Sequence, residues 1–299
     1  MKVLITGATG LIGSALKSHF KRQNIEVNYL TRNQRLIQSD PHAFGWDPNN
    51  GIIDGACFKE VQVIVNLAGA RVSRPWTKKG KKILIDSRIK SIALLKNTID
   101  KTNNHQIRHV LCASAIGIYK SDREQAQSEF SEPESNTFLS KLVQNWEQKS
   151  LGFEQLGIKT TILRFGHIFS NKGGIYPILN YFVFNRFNFL PGPGMQIYSW
   201  IHIEDTVRII DHLIKKKSQG IYNLVAPEFI SHKELIQTIS KYKKHKTIVI
   251  NIPSFLIKVL LGERSQLVLK GQRVSSKKII DNGYLFKYPL IDSCVKILN

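Results

Sequence analysis

The sequence of 299 residues predicts an α/β fold in which helices cover both faces of a doubly wound parallel sheet. At the start of the chain, the strand-like run KVLITG leads into the glycine-rich segment GATGLIG and then into a helix. Apolar strand-like runs then alternate with amphipathic helical segments. The run VQVIVNLAGA is almost wholly apolar, as expected of a strand that is covered on both faces.

The alternation continues until about residue 170. After the helix SALKSHFKRQN we expect, in order, the strands EVNYLTR and VQVIVNLAGA, the helix SRIKSIALLKNTIDKT, the strand HVLCASAIGIY, the helix FLSKLVQNWEQKSL and the strand KTTILRFGHIF. The segment GIYNLVAP (220–227) predicts one more strand, and helix-like pieces with IVINIPSF follow it. We therefore expect a cofactor-binding domain over residues 1–225 and a small α+β domain over residues 226–299 that closes the substrate cleft.

The chain is strongly basic, with 43 Lys and Arg against 22 Asp and Glu and a formal charge of +21. Its basic clusters lie at residues 78–82, 215–217 and 241–246. Such charge fits nucleic acid or an anionic membrane surface, but it also fits solvated helix faces that attract an anionic cofactor. Because no nucleic-acid-binding motif accompanies the clusters, we expect no specific nucleic-acid partner.

The cysteines and the apolar runs bear on the compartment. Cys57, Cys112 and Cys294 are odd in number and widely spaced, which fits neither a disulfide framework nor a zinc site. The sequence has no pattern of a signal peptide and no run near the ~20 apolar residues that span a bilayer. We expect a cytoplasmic protein without a metal site, and the sequence is compatible with a homodimer.

The segment TGATGLIG is the candidate phosphate-binding loop. Gly7 permits the tight turn, Gly10 lets the backbone approach a pyrophosphate, and Gly13 permits close contact between helix and strand. The positive end of the following helix faces the phosphates. Because the loop lies between a strand and a helix, we expect it to bind a dinucleotide through Gly7, Thr9, Gly10, Leu11, Ile12 and Gly13.

The end of the second strand indicates which dinucleotide is bound. An NAD site places Asp or Glu there, whereas this chain has Thr31 and Arg32, with Arg35 close behind. Because a guanidinium matches a 2′-phosphate in geometry and charge, the sequence favours NADP(H) over NAD(H). The small residues Ala68 and Gly69 of NLAG allow close approach to the ribose and phosphates. Trp46 fits equally a place beside the adenine and a place in the core.

Several segments together resemble the short-chain dehydrogenase/reductase superfamily in its extended, nucleotide-sugar-epimerase-like form: TGATGLIG, NLAG, ASAIGIY and LRFG. The resemblance narrows to an atypical epimerase-family branch with a C-terminal domain of unassigned function, through WDPNNGIID, PWTKKGKKILIDSRIKS, FLSKLVQNWE, SWIHIEDTVRII, YNLVAPE and LLKGQRV. It implies an NADP-binding Rossmann fold over essentially the whole chain and no known substrate. Lys120 stands where members of the branch usually have glycine.

The resemblance also implies roles for individual residues. Thr31 and Arg32 are expected to hold the adenosine phosphate, Leu67 and Ala68 to line the nucleotide, and Arg88 to reach the cofactor. In the superfamily, a tyrosine transfers a proton as hydride moves, and a lysine four residues later lowers the pKa of its phenol. The resemblance aligns Phe138 and Leu142 with these two positions, and neither side chain can do that chemistry.

The remaining candidates for proton transfer are few. Ser114 lies 24 residues before Phe138 and corresponds to the superfamily serine, while it also fits a plain strand-end hydroxyl. Lys141 is one position early, about 100° around the helix. His167 ends the strand expected nearest the nicotinamide, and it also fits a packed loop histidine. We therefore take Ser114 and His167 as the candidate catalytic residues.

Other groups are weaker candidates. In related proteins the ring equivalent to Tyr119 is mostly structural. The segment SWIHIED fits a helix N-terminus stabilised by acidic residues better than it fits a catalytic group.

Two functions fit the sequence. The first is an NADP(H)-binding, epimerase- or reductase-like oxidoreductase that acts on an unidentified small molecule without the Tyr-x-x-x-Lys pair. The alternative is a non-catalytic protein that binds NADPH and in response orders a partner surface.

Overall fold

The computed structural model describes residues 1–102, 105–242 and 247–299 and confirms the predicted α/β fold with a large, mainly parallel sheet. Its strands are β1 (Lys2–Thr6), β2 (Glu26–Thr31), β3 (Ala43–Asp47), β4 (Ile52–Ile53), β5 (Val63–Asn66), β6 (His109–Ala115), β7 (Lys159–Phe165), β8 (His167–Ser170), β9 (Gly173–Gly174), β10 (Phe187–Pro191), β11 (Ile197–His202), β12 (Gly220–Leu224), β13 (Phe229–Ser231) and β14 (Ile248–Ile252). Its α-helices are α1 (Leu11–Arg22), α2 (Gln34–Ser39), α3 (Lys78–Lys101), α4 (Phe138–Leu151), α5 (Tyr176–Phe184), α6 (Ile203–Lys215), α7 (His232–Lys241), α8 (Ser254–Leu261), α9 (Gln266–Leu269), α10 (Lys277–Asp281) and α11 (Ile291–Leu298).

The large sheet has the strand order β12-β7-β6-β5-β1-β2-β3-β4. β1 pairs in parallel with β2 on one side and with β5 on the other, so Val3 lies between Val27 and Val63. The chain therefore reverses its direction of winding between β1 and β5. In open α/β sheets, ligands bind at the carboxyl ends of the strands at such a switch point.

The central strands are buried because helices cover both faces. Leu4 and Ile5 of β1 are fully buried, as are Ile64 and Val65 of β5. The apolar run VQVIVNLAGA therefore forms the central strand that its composition predicts.

The backbone divides into two compact units. The first contains residues 1–115, 135–164 and 207–222, and the second contains residues 116–134, 165–206 and 223–299. The domain boundary expected between residues 225 and 226 stays a prediction, since compact units of backbone do not by themselves define a cofactor domain. Of the basic cluster at 241–246, positions 243–246 lie outside the described residues.

The second unit contains a sheet of order β13-β11-β8-β9 and the parallel pair β10-β14. The single predicted strand KTTILRFGHIF is two strands, β7 and β8, which are separated at Gly166. A Cβ atom at Gly166 would lie 2.6 Å from the Ser199 carbonyl oxygen and 2.7 Å from Val225 Cγ1. The core of this unit includes Phe169, Tyr176 and Trp200.

Candidate functional site

The turn after β1 has the backbone geometry expected of the glycine loop. Gly7 has φ +65°, and a Cβ atom there would lie 2.8 Å from the Leu67 carbonyl oxygen. A Cβ atom at Gly13 would lie 2.3 Å from the Gly7 carbonyl oxygen, because α1 packs directly on the turn. Gly10 precedes α1 and supplies no capping side chain. The first amide groups of α1 are therefore available to an anion.

Thr6 fixes the turn to the end of the neighbouring strand β5. Its Oγ1 donates to Asn66 Oδ1 at 2.6 Å and accepts from the amides of Leu67 and Ala68, both at 3.1 Å. This bridge holds the segment NLAG against Gly7. Sequence reasoning missed Thr6, although a hydroxyl at the end of the first strand was a visible signal.

A cavity of about 480 Å3 opens beside this turn in the first unit. It is lined by eight of the expected cofactor residues: Gly7, Thr9, Gly10, Thr31, Arg32, Leu67, Ala68 and Gly69. The expected residues Leu11, Ile12, Gly13 and Arg88 do not line it. Its other walls are Leu30, Trp46, Pro48, Asn49, Ala70, Arg74, Ile83, Asp86 and Ser87. Trp46 thus lines the cavity and is also largely buried.

Two guanidinium groups line the cavity. Arg32 follows β2 and is exposed, whereas Arg74 lies in the loop after β5 and is half-buried. Neither forms an ion pair with any residue among 1–102, 105–242 and 247–299. The carboxylate of Asp86 on the same wall is already near Lys82 at 3.3 Å and Lys90 at 3.7 Å. The cavity therefore presents two positive groups that are open to an anionic ligand.

The loop that carries Arg74 is packed tightly. The Trp76 indole donates to the Val72 carbonyl at 2.9 Å, and its ring meets the Phe138 ring edge-on at a centroid distance of 5.1 Å. A Cβ atom at Gly80 would lie 1.9 Å from the Pro75 carbonyl oxygen, which shows how closely the loop lies on α3. Phe138 thus supports the loop that brings Arg74 to the cavity wall.

Arg88 lies behind the wall. It donates to the carbonyls of Leu84 at 3.0 Å and Ala70 at 3.3 Å, and its guanidinium lies 4.6 Å from the centre of the Trp146 ring. Burial lowers its pKa to about 10. Arg88 therefore fixes Ala70, which is a wall residue.

The end of β6 contains a buried polar cluster that the sequence did not reveal. Ser114 Oγ donates to Glu147 Oε1 at 2.5 Å, and Arg164 donates to both Glu147 oxygens at 2.8 and 2.7 Å. All three side chains are buried. Leu142 of the same helix as Glu147 is buried, whereas Lys141 is exposed. Ser114 thus gives its only hydroxyl hydrogen to an internal carboxylate.

His167 lies in the second unit, at the start of β8. Its Nδ1 lies 3.2 Å from the Ser199 carbonyl oxygen, and its ring packs on Tyr198 at 4.7 Å. Because a carbonyl can only accept, Nδ1 carries the hydrogen, and the neutral ring leaves Nε2 as an acceptor. Burial lowers the pKa of His167, while the bond to Ser199 opposes that effect. Nε2 makes no hydrogen bond within the part of the chain that the structure describes.

The weaker candidates of the second unit have internal partners. Tyr119 donates to Asn223 Oδ1 at 2.7 Å in a buried site. Glu204 and Asp205 lie in the first turn of α6, and Asp205 accepts from the Tyr284 hydroxyl at 2.6 Å and from two backbone amides at 2.8 Å. The acidic residues thus stabilise a helix start and join it to the C-terminal segment.

The described residues contain no group of three or more His, Cys, Asp and Glu side chains arranged to hold a metal ion. Within the same residues, no helix has both the length and the apolar character needed to cross a membrane.

The sequence matches two family models. The NAD dependent epimerase/dehydratase family matches residues 3–224, and a domain of unknown function, DUF1731, matches residues 252–298. The chain is 33% identical over 293 residues to Epimerase family protein SSP1921 of Staphylococcus saprophyticus, which covers 96% of this chain and 95% of that protein.

Solved structures share the fold. The human epimerase family protein SDR39U1 (isoform 2), crystallised with NADPH, superposes with a TM-score of 0.85 at 25% identity, covering 100% of this chain and 99% of that one. The UDP-glucose 4-epimerase of Thermus thermophilus in complex with NAD gives a TM-score of 0.78 at 16% identity, covering 99% and 98%. The second likeness is one of fold alone.

Proposed function

The chain belongs to the NAD dependent epimerase/dehydratase family, and on that premise we propose that it binds NADP(H) in the cavity of its first unit and acts as an oxidoreductase on a small molecule. One observation carries the proposal: the cavity beside the glycine loop is lined by two arginines, Arg32 and Arg74, neither of which forms a close ion pair with a described residue. A human relative crystallised with NADPH supports the choice of NADP.

The residues of the cavity fit such a cofactor. Gly7 and Gly13 leave no room for side chains where the turn must be narrow, and the uncapped start of α1 offers amide donors to phosphates. Arg32, at the end of β2, is placed for the 2′-phosphate. Arg74 comes from the loop after β5, on the other side of β1, and is therefore placed for the pyrophosphate rather than the 2′-phosphate. When bound, NADP(H) would supply or accept a hydride at carbon.

Cofactor selectivity tests the proposal directly. We expect tighter binding of NADPH than of NADH, and Arg32→Ala should remove most of this preference, since a charge-assisted hydrogen bond contributes about 1.5–3 kcal/mol. Arg74→Ala should lower the affinities for NADPH and NADH by a similar factor. Arg71→Ala, in the same loop but outside the cavity wall, is the matched control. Equal affinities of the unmutated protein for NADPH and NADH in calorimetric titrations would contradict the proposal.

We further propose that proton transfer does not use the Tyr-x-x-x-Lys pair of the wider superfamily. Phe138 has no transferable proton and packs on Trp76, and Leu142 is buried and uncharged. Ser114 and His167 are the proposed substitutes. When a substrate hydroxyl is oxidised, Nε2 of the neutral His167 ring can take up its proton, and the imidazolium so formed can return that proton when a carbonyl is reduced. Ser114 can only accept a hydrogen bond from a substrate hydroxyl, because its own hydrogen goes to Glu147.

Turnover assays test these roles. NADPH oxidation would be measured across a panel of carbonyl and enone compounds for the parent, Ser114→Ala and His167→Ala. We expect any turnover to depend on one of the two side chains, and turnover that survives both substitutions would refute their roles. Phe138→Tyr with Leu142→Lys should not restore ketone reduction, because the surrounding contacts do not orient a phenol.

A second candidate function is a non-catalytic protein whose partner surface responds to NADPH. The inward hydrogen bonds of Ser114 and Tyr119 favour it, because neither hydroxyl hydrogen is available to a substrate. Tight NADPH binding without turnover of any compound would select this function.

We also propose a reducing, cytoplasmic location. It is supported by the three cysteines, Cys57, Cys112 and Cys294, which are all buried free thiols. Fractionation of cells with an antibody to the chain would test it.

A further inference from the structure

The second unit carries large apolar side chains at its surface on α5, β10, β14 and α8. Tyr181 and Phe184 of α5, Ile248 of β14, and Phe255, Val259 and Leu260 of α8 are all exposed. We call the surface formed by these four elements the apolar face. Exposed apolar residues that occur singly are ordinary, whereas a connected group of them marks an interaction site.

Contacts within the unit connect α5, β10 and β14, and α8 follows β14 directly in the chain. The ring of Phe182 on α5 meets that of Phe189 on β10 at a centroid distance of 4.9 Å. β10 pairs in parallel with β14, so that Phe187 lies beside Ile248. Pro253 alone separates β14 from α8. The apolar face therefore runs from α5 across the strand pair, and α8 adjoins it at the end of β14.

Both helices are apolar on the side that faces away from the unit. α5 buries Tyr176 and Val183 on one side and exposes Tyr181 and Phe184 on the other. α8, with the sequence SFLIKVLL, buries only Ile257, while Val259 is 79% and Leu260 77% exposed. A helix at the surface of a protein surrounded by water has a polar outer side. These two helices therefore fit an apolar neighbour.

Charge indicates which neighbour fits. Over residues 176–202 the only Lys, Arg, Asp or Glu is Arg186, and over residues 247–262 it is Lys258, so the face contains cations and no carboxylate. The chain as a whole carries a formal charge of +21. That charge opposes pairing of two copies, and it attracts the chain to a negatively charged surface.

We propose that the apolar face binds the surface of an anionic lipid bilayer, with the side chains of α8 and the β10-β14 pair in the boundary between headgroups and acyl chains. Peripheral helices bind membranes in this way by combining apolar burial with attraction of lysine and arginine to anionic lipids. The inference does not depend on NADP(H) binding in the first unit.

Flotation with lipid vesicles tests the proposal. The full chain should float with vesicles of phosphatidylcholine mixed with phosphatidylglycerol, and binding should weaken with salt and be much lower on phosphatidylcholine alone. Val259→Ser with Leu260→Ser should lower the ratio of bound to free protein more than about tenfold, because several buried CH2 groups are lost. Both side chains are exposed, so the variant should unfold at the parent temperature.

The control is Leu285→Ser, which removes a side chain that is 82% exposed in the same unit but outside the apolar face, and which should float like the parent. Lys258→Glu should weaken binding to the anionic vesicles without changing an apolar contact. Absence of binding to anionic vesicles, or equal binding of the parent and the Val259/Leu260 variant, would overturn the proposal. It would also be overturned by light scattering that shows a parent dimer converted to a monomer by that variant, since the face would then join two copies.

Discussion

The ends of β1 and β6 lie in the same parallel sheet, and their polar groups are directed differently. After β1, the turn at Gly7 and Gly10 leaves the first amides of α1 without a side-chain cap, beside a cavity that Arg32 and Arg74 line. At the end of β6, Ser114 donates inward to Glu147, and Arg164 neutralises that carboxylate. One region presents donors to a ligand, and the other satisfies its donors within the protein.

The two regions also differ in what their structure depends on. The turn after β1 depends on missing side chains, because a Cβ atom at Gly13 would overlap the backbone of Gly7. The β6 region depends on side chains that satisfy one another in a buried place, where an unpaired charge is costly. The turn after β1 is therefore open to an anionic ligand, while the buried groups at the end of β6 contribute to stability.

The largest loss of stability should come from breaking the buried ion pair of Glu147 with Arg164. Glu147→Ala leaves the Arg164 guanidinium buried without its carboxylate, and we expect the free energy of unfolding to fall by about 3–5 kcal/mol. Urea unfolding measures it. Asp281→Ala, which breaks the exposed pair with Lys277, is the control and should change stability little. Equal losses in the two variants would show that the β6 cluster is not a stabilising element.

The β1 turn could be predicted from the sequence because its geometry is local. The spacing of Gly7, Gly10 and Gly13 between a strand and a helix indicates the turn without knowledge of distant contacts. The β6 cluster could not be predicted, since Glu147 and Arg164 come from a different helix and strand, and nothing in WEQKS or LRFG marks them as partners. Arg74 was missed for the same reason, because its place depends on the contact of Trp76 with Phe138.

Lowering the pH should destabilise the β6 region. The β1 turn should not respond to pH in this way, because it has no titratable side chain between Thr6 and Leu16. Burial lowers the pKa of His109, at the start of β6, to about 4. His109 Nε2 lies 2.7 Å from Thr161 Oγ1, and its Nδ1 is buried without a partner among the described residues, so a second ring proton would be unsatisfied.

As the pH falls, His109 binds a proton near pH 6.5 in the unfolded chain, which is a higher pH than in the folded protein. The contribution of neutral His109 is therefore present above pH 6.5 and is lost as the pH falls from about 6.5 to about 4, by up to about 3 kcal/mol. Unfolding of the parent and of His109→Gln, measured from pH 7 to pH 4, should show a steeper loss in the parent. Parallel curves for the two proteins would contradict this expectation.

A substitution in the β1 turn should lower the free energy of unfolding by less and should abolish NADPH binding. Gly13→Ala forces α1 away from Gly7, and we expect a loss of about 1–3 kcal/mol in stability together with loss of NADPH binding. Gly55→Ala is the matched control, because no atom lies within 4 Å of the added Cβ. Thermal unfolding and NADPH titration would measure both effects, and normal affinity in Gly13→Ala would show that the turn does not hold the cofactor.

The smallest effect should come from Ser114→Ala. Glu147 loses one donor but keeps both hydrogen bonds from Arg164, so the free energy of unfolding should fall by only about 1 kcal/mol. NADPH affinity should not change, because Ser114 does not line the cavity. The double variant with Glu147→Ala should be no less stable than Glu147→Ala alone, since both remove the same bond. If Ser114→Ala instead lost NADPH affinity at unchanged stability, its hydroxyl would face the ligand, and the ends of β1 and β6 would no longer differ in the direction of their polar groups.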